Sequence, residues 1–166
     1  LTPLLRAVVP PPYQLVIIEA TTPGSGKSYL AEMLKVLHGA GTRPSLPRTD
    51  EEWSKVVPAL LGATTGPILA FDNVRGKISS AYLEGLLTAS DITDRVLGSN
   101  DRTARLDNDR LWLMTGNNVS YGGDLARRVL RIVIDTQDPH PERRTFDINP
   151  VSWVRQHRAE YLSALL

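Results

Sequence analysis

Eight consecutive residues, Thr21-Thr22-Pro23-Gly24-Ser25-Gly26-Lys27-Ser28, carry the densest chemistry in this 166-residue chain. Two glycines let a backbone adopt conformations closed to larger residues and let amide groups approach an anion closely. A lysine directly after them can reach the β- and γ-phosphates of a nucleotide, and the next serine hydroxyl can ligate Mg2+. The pattern of a phosphate-binding loop is G-x-x-x-x-G-K-[ST]; its first position is Thr21 here instead of Gly. Thr22, Pro23, Gly24, Ser25, Gly26, Lys27, Ser28 and Tyr29 are therefore the candidate nucleotide-binding residues, and ATP with Mg2+ is the implied ligand.

Such a loop is informative only between a strand and a helix. Leu15-Val16-Ile17-Ile18 precedes it, short and β-branched like a buried strand. Tyr29, Leu30, Met33, Leu34 and Leu37 follow at helical spacing, and Gly39 and Gly41 stop the helix. The helix N-terminus adds unpaired N–H donors and a dipole that favours an anion. An ordinary Gly-Ser-Gly-Lys-Ser turn is the alternative, and this setting argues against it.

Other polar groups end apolar runs. Ile68–Phe71 leads into Asp72, the position of a carboxylate that holds Mg2+ together with Ser28. The next residue is Asn73, where many ATPases of this layout have Glu. Asn can position water but cannot accept its proton, so hydrolysis is expected to be slow unless a partner completes the site. Glu19 and Glu84 are the unranked substitutes. A third run, Leu111–Met114, ends in Thr115-Gly116-Asn117-Asn118, where an amide can sense a γ-phosphate or simply favour a turn. Arg127 and Arg128 precede a fourth run, Val129–Ile134. They are either solvated or placed to stabilise charge on a neighbouring subunit's nucleotide.

The rest of the chain supplies the scaffold. Residues 1–14 hold four prolines and read as an extended lead-in. Asp50 is expected to cap a helix running through Leu61, with Glu51 and Glu52 in its first turn. Ser79 or Ser80 is expected to cap another with Ala81, Leu83, Leu86 and Leu87 on its apolar face. A β-hairpin is expected at about 94–107, with Arg95–Gly98 and Arg102–Leu106 as its arms, and one helix over 151–166. Alternating strands and helices predict an α/β fold with a largely parallel, covered sheet over 15–150, ligands binding at the carboxyl ends of its strands.

Composition narrows the class. A hydrophobic share of 42% and a charged share of 22% are those of a soluble globular domain. No apolar run reaches membrane-spanning length and no signal peptide is visible, so no membrane role is expected. Without Cys there is no disulfide or thiolate metal site, which fits a cytoplasmic location. His38, His140 and His157 are scattered and do not suggest a metal centre. A net charge of +1 requires any nucleic-acid footprint to be local. The start at Leu1 and the stop soon after a helical pattern suggest a piece of a longer polypeptide.

TTPGSGKS, ILAFDN, LMTGNN and GDLARRVLRIVID, in this order, resemble the AAA+ ATPases. The chain is most similar to the helicase-type ATPase modules that accompany primases in phage, plasmid and mobile-element proteins, near the superfamily-three helicases. The resemblance covers roughly residues 13–135. It implies a P-loop NTPase three-layer sandwich with five mostly parallel strands and a hairpin inserted before the sensor strand. It also implies ATP with Mg2+, a homo-oligomeric ring, DNA as a track and a primase-type domain in the same polypeptide. By this resemblance Lys27 and Ser28 are Walker A, Asp72 is Walker B, Asn117 or Asn118 is the first sensor, and Arg127 or Arg128 is the arginine finger. Arg95, Arg102 and Arg105 on the hairpin would then meet DNA phosphates. Asp91, Asp94, Asp101, Asp107 and Asp109 interleave with them, and cross-strand ion pairing explains the same pattern. Thr21 and Asn73 depart from the family pattern and bear on catalytic efficiency. Two other classes fit less of the sequence: a nucleotide-dependent switch or loader with weak hydrolysis, and a small-molecule P-loop kinase.

Overall fold

The computed structural model describes residues 2–5, 8–39, 41–63, 66–95 and 103–165. After a short helix α1 (Thr2–Leu5), strand β1 (Leu15–Ala20) runs through the glycine-rich loop into helix α2 (Lys27–His38), which Gly39 terminates at φ 101°. Strand β2 (Gly41–Thr42), helix α3 (Asp50–Gly62) and strand β3 (Ile68–Val74) follow. Then come β4 (Lys77–Ile78), helix α4 (Ala81–Leu86), and the antiparallel pair β5 (Asp91–Arg95) and β6 (Thr103–Asp107). Strands β7 (Leu111–Asn117), β8 (Ser120–Tyr121) and β9 (Val129–Ile134) precede helices α5 (Pro150–Gln156) and α6 (Arg158–Leu165).

The central sheet has the order β2-β3-β7-β1-β9, and every neighbouring pair is parallel. Its side chains alternate between two cores, as period-two strands must. Leu15, Ile17, Leu69, Phe71, Trp112 and Met114 pack with α3 and α4 on one face. Val16, Ile18, Ile68, Ala70 and Leu113 pack under α2 on the other. Both faces are covered over β1, β3 and β7, which read as continuous apolar runs, while the edge strand β9 leaves Leu130 and Val133 exposed; the fold is the expected α/β layering around a parallel sheet. Trp53, Phe71 and Trp112 form the aromatic centre, with Phe71 stacked on Trp112 at 6.1 Å and Trp53 edge-on to both. The buried Asn108 ties it down: its Oδ1 accepts from Trp112 Nε1 at 2.9 Å, and its amide donates to the carbonyls of Leu86 and Ala89.

Five local expectations change, the first being that the lead-in, read as extended, opens with the short helix Thr2–Leu5. Thr49 caps α3, its Oγ1 accepting from Glu52 N at 3.2 Å, while Asp50 is the first helical residue. The Asp50 carboxylate instead reaches Ser80 Oγ at 2.6 Å and Tyr82 N, joining the starts of α3 and α4. Ser80 is the α4 cap, and Ala81 is exposed. The hairpin's first arm starts at Asp91, because Ile92 and Leu106 pack against the core; Asp91 pairs with Asp107 and Arg95 with Thr103. The tail forms two helices instead of one, parted at His157, and both pack on α2. No helix among the described residues is long and apolar enough to cross a membrane.

Candidate functional site

The loop between β1 and α2 has two glycines in the left-handed region, Gly24 at φ 73° and Gly26 at φ 96°. Gly26 is the N-cap of α2 and offers no side chain to the first-turn amides, which stay available to a ligand. Gly24 also has no room for a Cβ, which would lie 2.8 Å from Cβ of Glu142. Lys27 Nζ donates to the buried Ser25 hydroxyl at 3.1 Å. Burial pulls the Lys27 ammonium below its ordinary pKa, and the nearby Asp72 charge opposes that pull.

Strand alternation decides which polar groups meet this loop. Asp72 follows Ile68 and Ala70 on the α2 face of β3, and Thr115 follows Leu113 on the same face of β7. Ser28 Oγ, in the first turn of α2, donates to Asp72 Oδ1 at 3.1 Å. Thr115 Oγ1 donates to the same oxygen and accepts from Asn73 N at 3.1 Å. Arg43, just beyond β2, lies 3.4 Å from Asp72 Oδ2. Burial alone would push the Asp72 carboxyl up; the Thr115 and Ser28 hydroxyls, the Arg43 charge and the Asn73 amide outweigh it and hold it below the ordinary aspartate range.

Directly after Asp72 the register of β3 on β7 shifts, and Asn73 turns into the left-handed region at φ 58°. Val74 then pairs with Gly116, whose missing side chain makes room for the Val74 carbonyl, 2.5 Å from where a Cβ would stand. The kink leaves the Asn73 side chain exposed at the site's edge.

The structure separates several paired candidates. Asn117 pairs in register with Ala20 beside the loop, and its Oδ1 is buried without a partner. Asn118 is exposed at φ 51°. Glu19 lies on the opposite sheet face, bonded to Arg131 at 3.0 Å, and α4 carries Glu84 over that same face. Neither substitute stands on the Asp72 side. Arg127 and Arg128 end the 3-10 turn Gly123–Arg128 before β9, whose first residue pairs with Leu15. They sit at the amino end of the sheet, about 17 Å of strand away from the loop, and are not brought together with Lys27 or Asp72 in one chain. On the hairpin, Arg105 pairs with Asp91 at 2.7 Å, as cross-strand pairing requires; Arg102 lies outside the described residues.

A cleft of about 560 Å³ adjoins the loop, within the usual range for small-molecule sites. Tyr29 and Met33 line it from α2, and Glu142, Arg144, Phe146 and Asn149 from the segment after β9. Thr115 and Arg43 are site residues that the sequence motifs did not single out. Thr115 was reachable, since it sits two residues after Leu113 on the Asp72-facing side. Arg43 had no signal, because β2 is two residues long.

These groups fit a magnesium nucleotide. Free amides and Lys27 suit phosphate oxygens, and the Ser28 and Asp72 oxygens suit a hard cation. The buried Thr22 hydroxyl has no hydrogen-bond partner, and a phosphate oxygen can accept from it. No cluster of three or more His, Cys, Asp or Glu occurs among the described residues.

No protein-family model matches the chain, and no curated protein matches it. Among solved structures it is similar to the A-form apo structure of the C-terminal region of NrS-1, with 16% identity and a TM-score of 0.54. A second A-form apo structure, of residues 305–718 in that region, gives 16% identity and a TM-score of 0.52. Each match covers 87% of this chain and 34% or 33% of the other, so the chain spans about a third of their length. At this identity the likeness is one of fold.

Proposed function

We infer that this chain is a magnesium-dependent ATP-binding module of the AAA+ type, working in a ring of copies as a helicase-like motor on DNA. The observation that carries the reading is the 3.1 Å contact between Ser28 Oγ and Asp72 Oδ1, which joins two motifs 44 residues apart at the carboxyl ends of β1 and β3. Lys27 and the α2 amides bind the phosphates, and Ser28 with Asp72 holds the metal. Bound Mg2+ neutralises charge on the phosphate oxygens. Thr115 fixes the Asp72 carboxylate, Asn117 presents its amide beside the loop, and Asn73 orients water without taking its proton. Arg127 and Arg128, remote from their own chain's site, act on a neighbour's. The order of the motifs supports the DNA-replication part of the reading, and the fold shared with the NrS-1 C-terminal region supports the α/β architecture.

A second reading, a nucleotide-dependent assembly switch with weak hydrolysis, draws on Asn73 and on the placement of Glu19 and Glu84 across the sheet. Sizing with and without ATP–Mg2+, followed by phosphate release with and without DNA, tests both. A ring whose turnover DNA stimulates establishes the motor, and assembly without turnover establishes the switch. A folded protein that takes up no ATP removes both.

A further inference from the structure

On the far side of Asp72 from α2 lies a second cleft, of about 770 Å³, between the loop leading into α3 and the segment from Asn73 to Ser80. Arg48, Arg75 and Lys77 line it, all exposed, and no hydrogen bond or ion pair among the described residues engages their charged ends. The exposed hydroxyls of Ser45 and Ser79 stand between them. Among the described residues the one acid in the wall is Asp72, whose charge Arg43 and two hydroxyls already engage. Two further carboxylates are bonded to residues of the wall: Glu52 accepts from the Arg48 amide at 2.6 Å, and Asp50 accepts from the Ser80 hydroxyl at 2.6 Å.

We propose that this cleft binds the sugar-phosphate backbone of single-stranded DNA. The proposal rests on the reading of the chain as an ATP-driven module acting on DNA, and it moves the DNA contact from the hairpin to this cleft. Three unengaged cations and two hydroxyls are the groups that contact phosphate. The aromatic in the wall, Trp53, is 2% exposed and offers no face for base stacking, so recognition is of backbone and indifferent to sequence. The cations stand on both walls, Arg48 on the loop leading into α3 and Arg75 with Lys77 on the segment after Asn73, so a single strand lying between them meets both. By contrast Arg105 on the hairpin is already paired with Asp91.

The cleft is also wired to the nucleotide site. Gly76, at φ 81°, turns the chain between Arg75 and Lys77, and its carbonyl accepts from Ser120 N at 3.2 Å. Lys77 and Ile78 pair with Ser120 and Tyr121, which follow Asn117 and Asn118 after one intervening residue, Val119. A strand seated here therefore lies against Asn73 and on a loop bonded to the segment that follows the sensor position.

The test is fluorescence anisotropy of a labelled oligodeoxythymidine with ATP–Mg2+ present, over a salt series, for wild type, the Arg75→Ala/Lys77→Ala double variant and Arg105→Ala. The double variant should bind on the order of tenfold or more weakly, and its log–log salt slope should fall by about 1.4, from 0.7 per lost phosphate contact. Arg105→Ala should bind as wild type does. Unchanged affinity and slope in the double variant, loss in Arg105→Ala instead, or no binding by wild type would each overturn the proposal. So would full displacement by inorganic pyrophosphate at equal phosphate concentration, which marks a small-anion site. Calorimetric titration of ATP–Mg2+ on the same proteins separates the two claims: no ATP uptake with oligonucleotide binding that tracks Arg75 and Lys77 removes the motor and upholds the cleft.

Discussion

The hydroxyl of Ser28 and the carboxylate of Asp72 share a hydrogen bond of 3.1 Å across two sheet strands that are not neighbours, since β7 runs between β1 and β3. The contact exists because α2 crosses above β7 toward the end of β3. A hard cation needs two such oxygens side by side, and no local segment of this chain could provide them.

Lys27→Ala should weaken ATP–Mg2+ binding by roughly ten- to a hundredfold, the worth of a charge-assisted contact of about 1.5–3 kcal/mol. Titration calorimetry reads this directly. Among the described residues the half-buried side chain bonds only to Ser25, so the unfolding midpoint should move little. Undiminished affinity would place the phosphates elsewhere.

Asn73→Glu restores a proton acceptor at the exposed kink after Asp72. General-base catalysis typically contributes about 10²–10⁴-fold, and a rise in single-turnover phosphate release of at least about a hundredfold is expected. A flat response would mean that the left-handed backbone at φ 58° aims the side chain away from water.

Asp72 makes acid stability informative. Its folded-state pKa is depressed, so its stabilising contribution is complete above the unfolded value near 3.9 and is lost as pH falls through the lower folded value. Urea midpoints should therefore fall on acidification below about pH 4 more steeply in wild type than in Asp72→Asn. Parallel acid limbs would deny the carboxylate its hydroxyl and Arg43 partners.

The loop glycines should differ in cost. Gly26→Ala meets no atom within 4 Å and bears only left-handed strain, about 1–2 kcal/mol. Gly24→Ala adds a 2.8 Å collision with Glu142, worth about 1–3 kcal/mol more. Denaturant titration of both variants should rank Gly24→Ala as the more destabilised.

Asn108→Ala strands the Trp112 indole N–H in the core and takes one donor from the Leu86 carbonyl, which keeps the Ala89 amide, and from the part-buried Ala89 carbonyl. At about 1–3 kcal/mol for a buried group left unpaired, a loss in that range is expected by chemical denaturation. The folded fraction should keep its ATP affinity, because this network lies on the face away from α2.

Local pattern was enough to locate the strands at Leu15, Ile68, Leu111 and Val129, the glycine turn before α2, and the polar residues that end each run. Those features depend on a few neighbouring residues, whose period and backbone freedom are written along the chain. Partnership across the sheet was not. That Thr115 shares Asp72, that Arg43 neutralises it, and that Asn117 lies nearer the loop than Asn118 all follow from β7 standing between β1 and β3. Glu19 and Glu84 fell on the wrong face for the same reason, and Thr49 took the cap because Asp50 was drawn to Ser80, 30 residues away. Strand order and facing are settled by which apolar surfaces bury one another, and that choice is made by the whole chain at once.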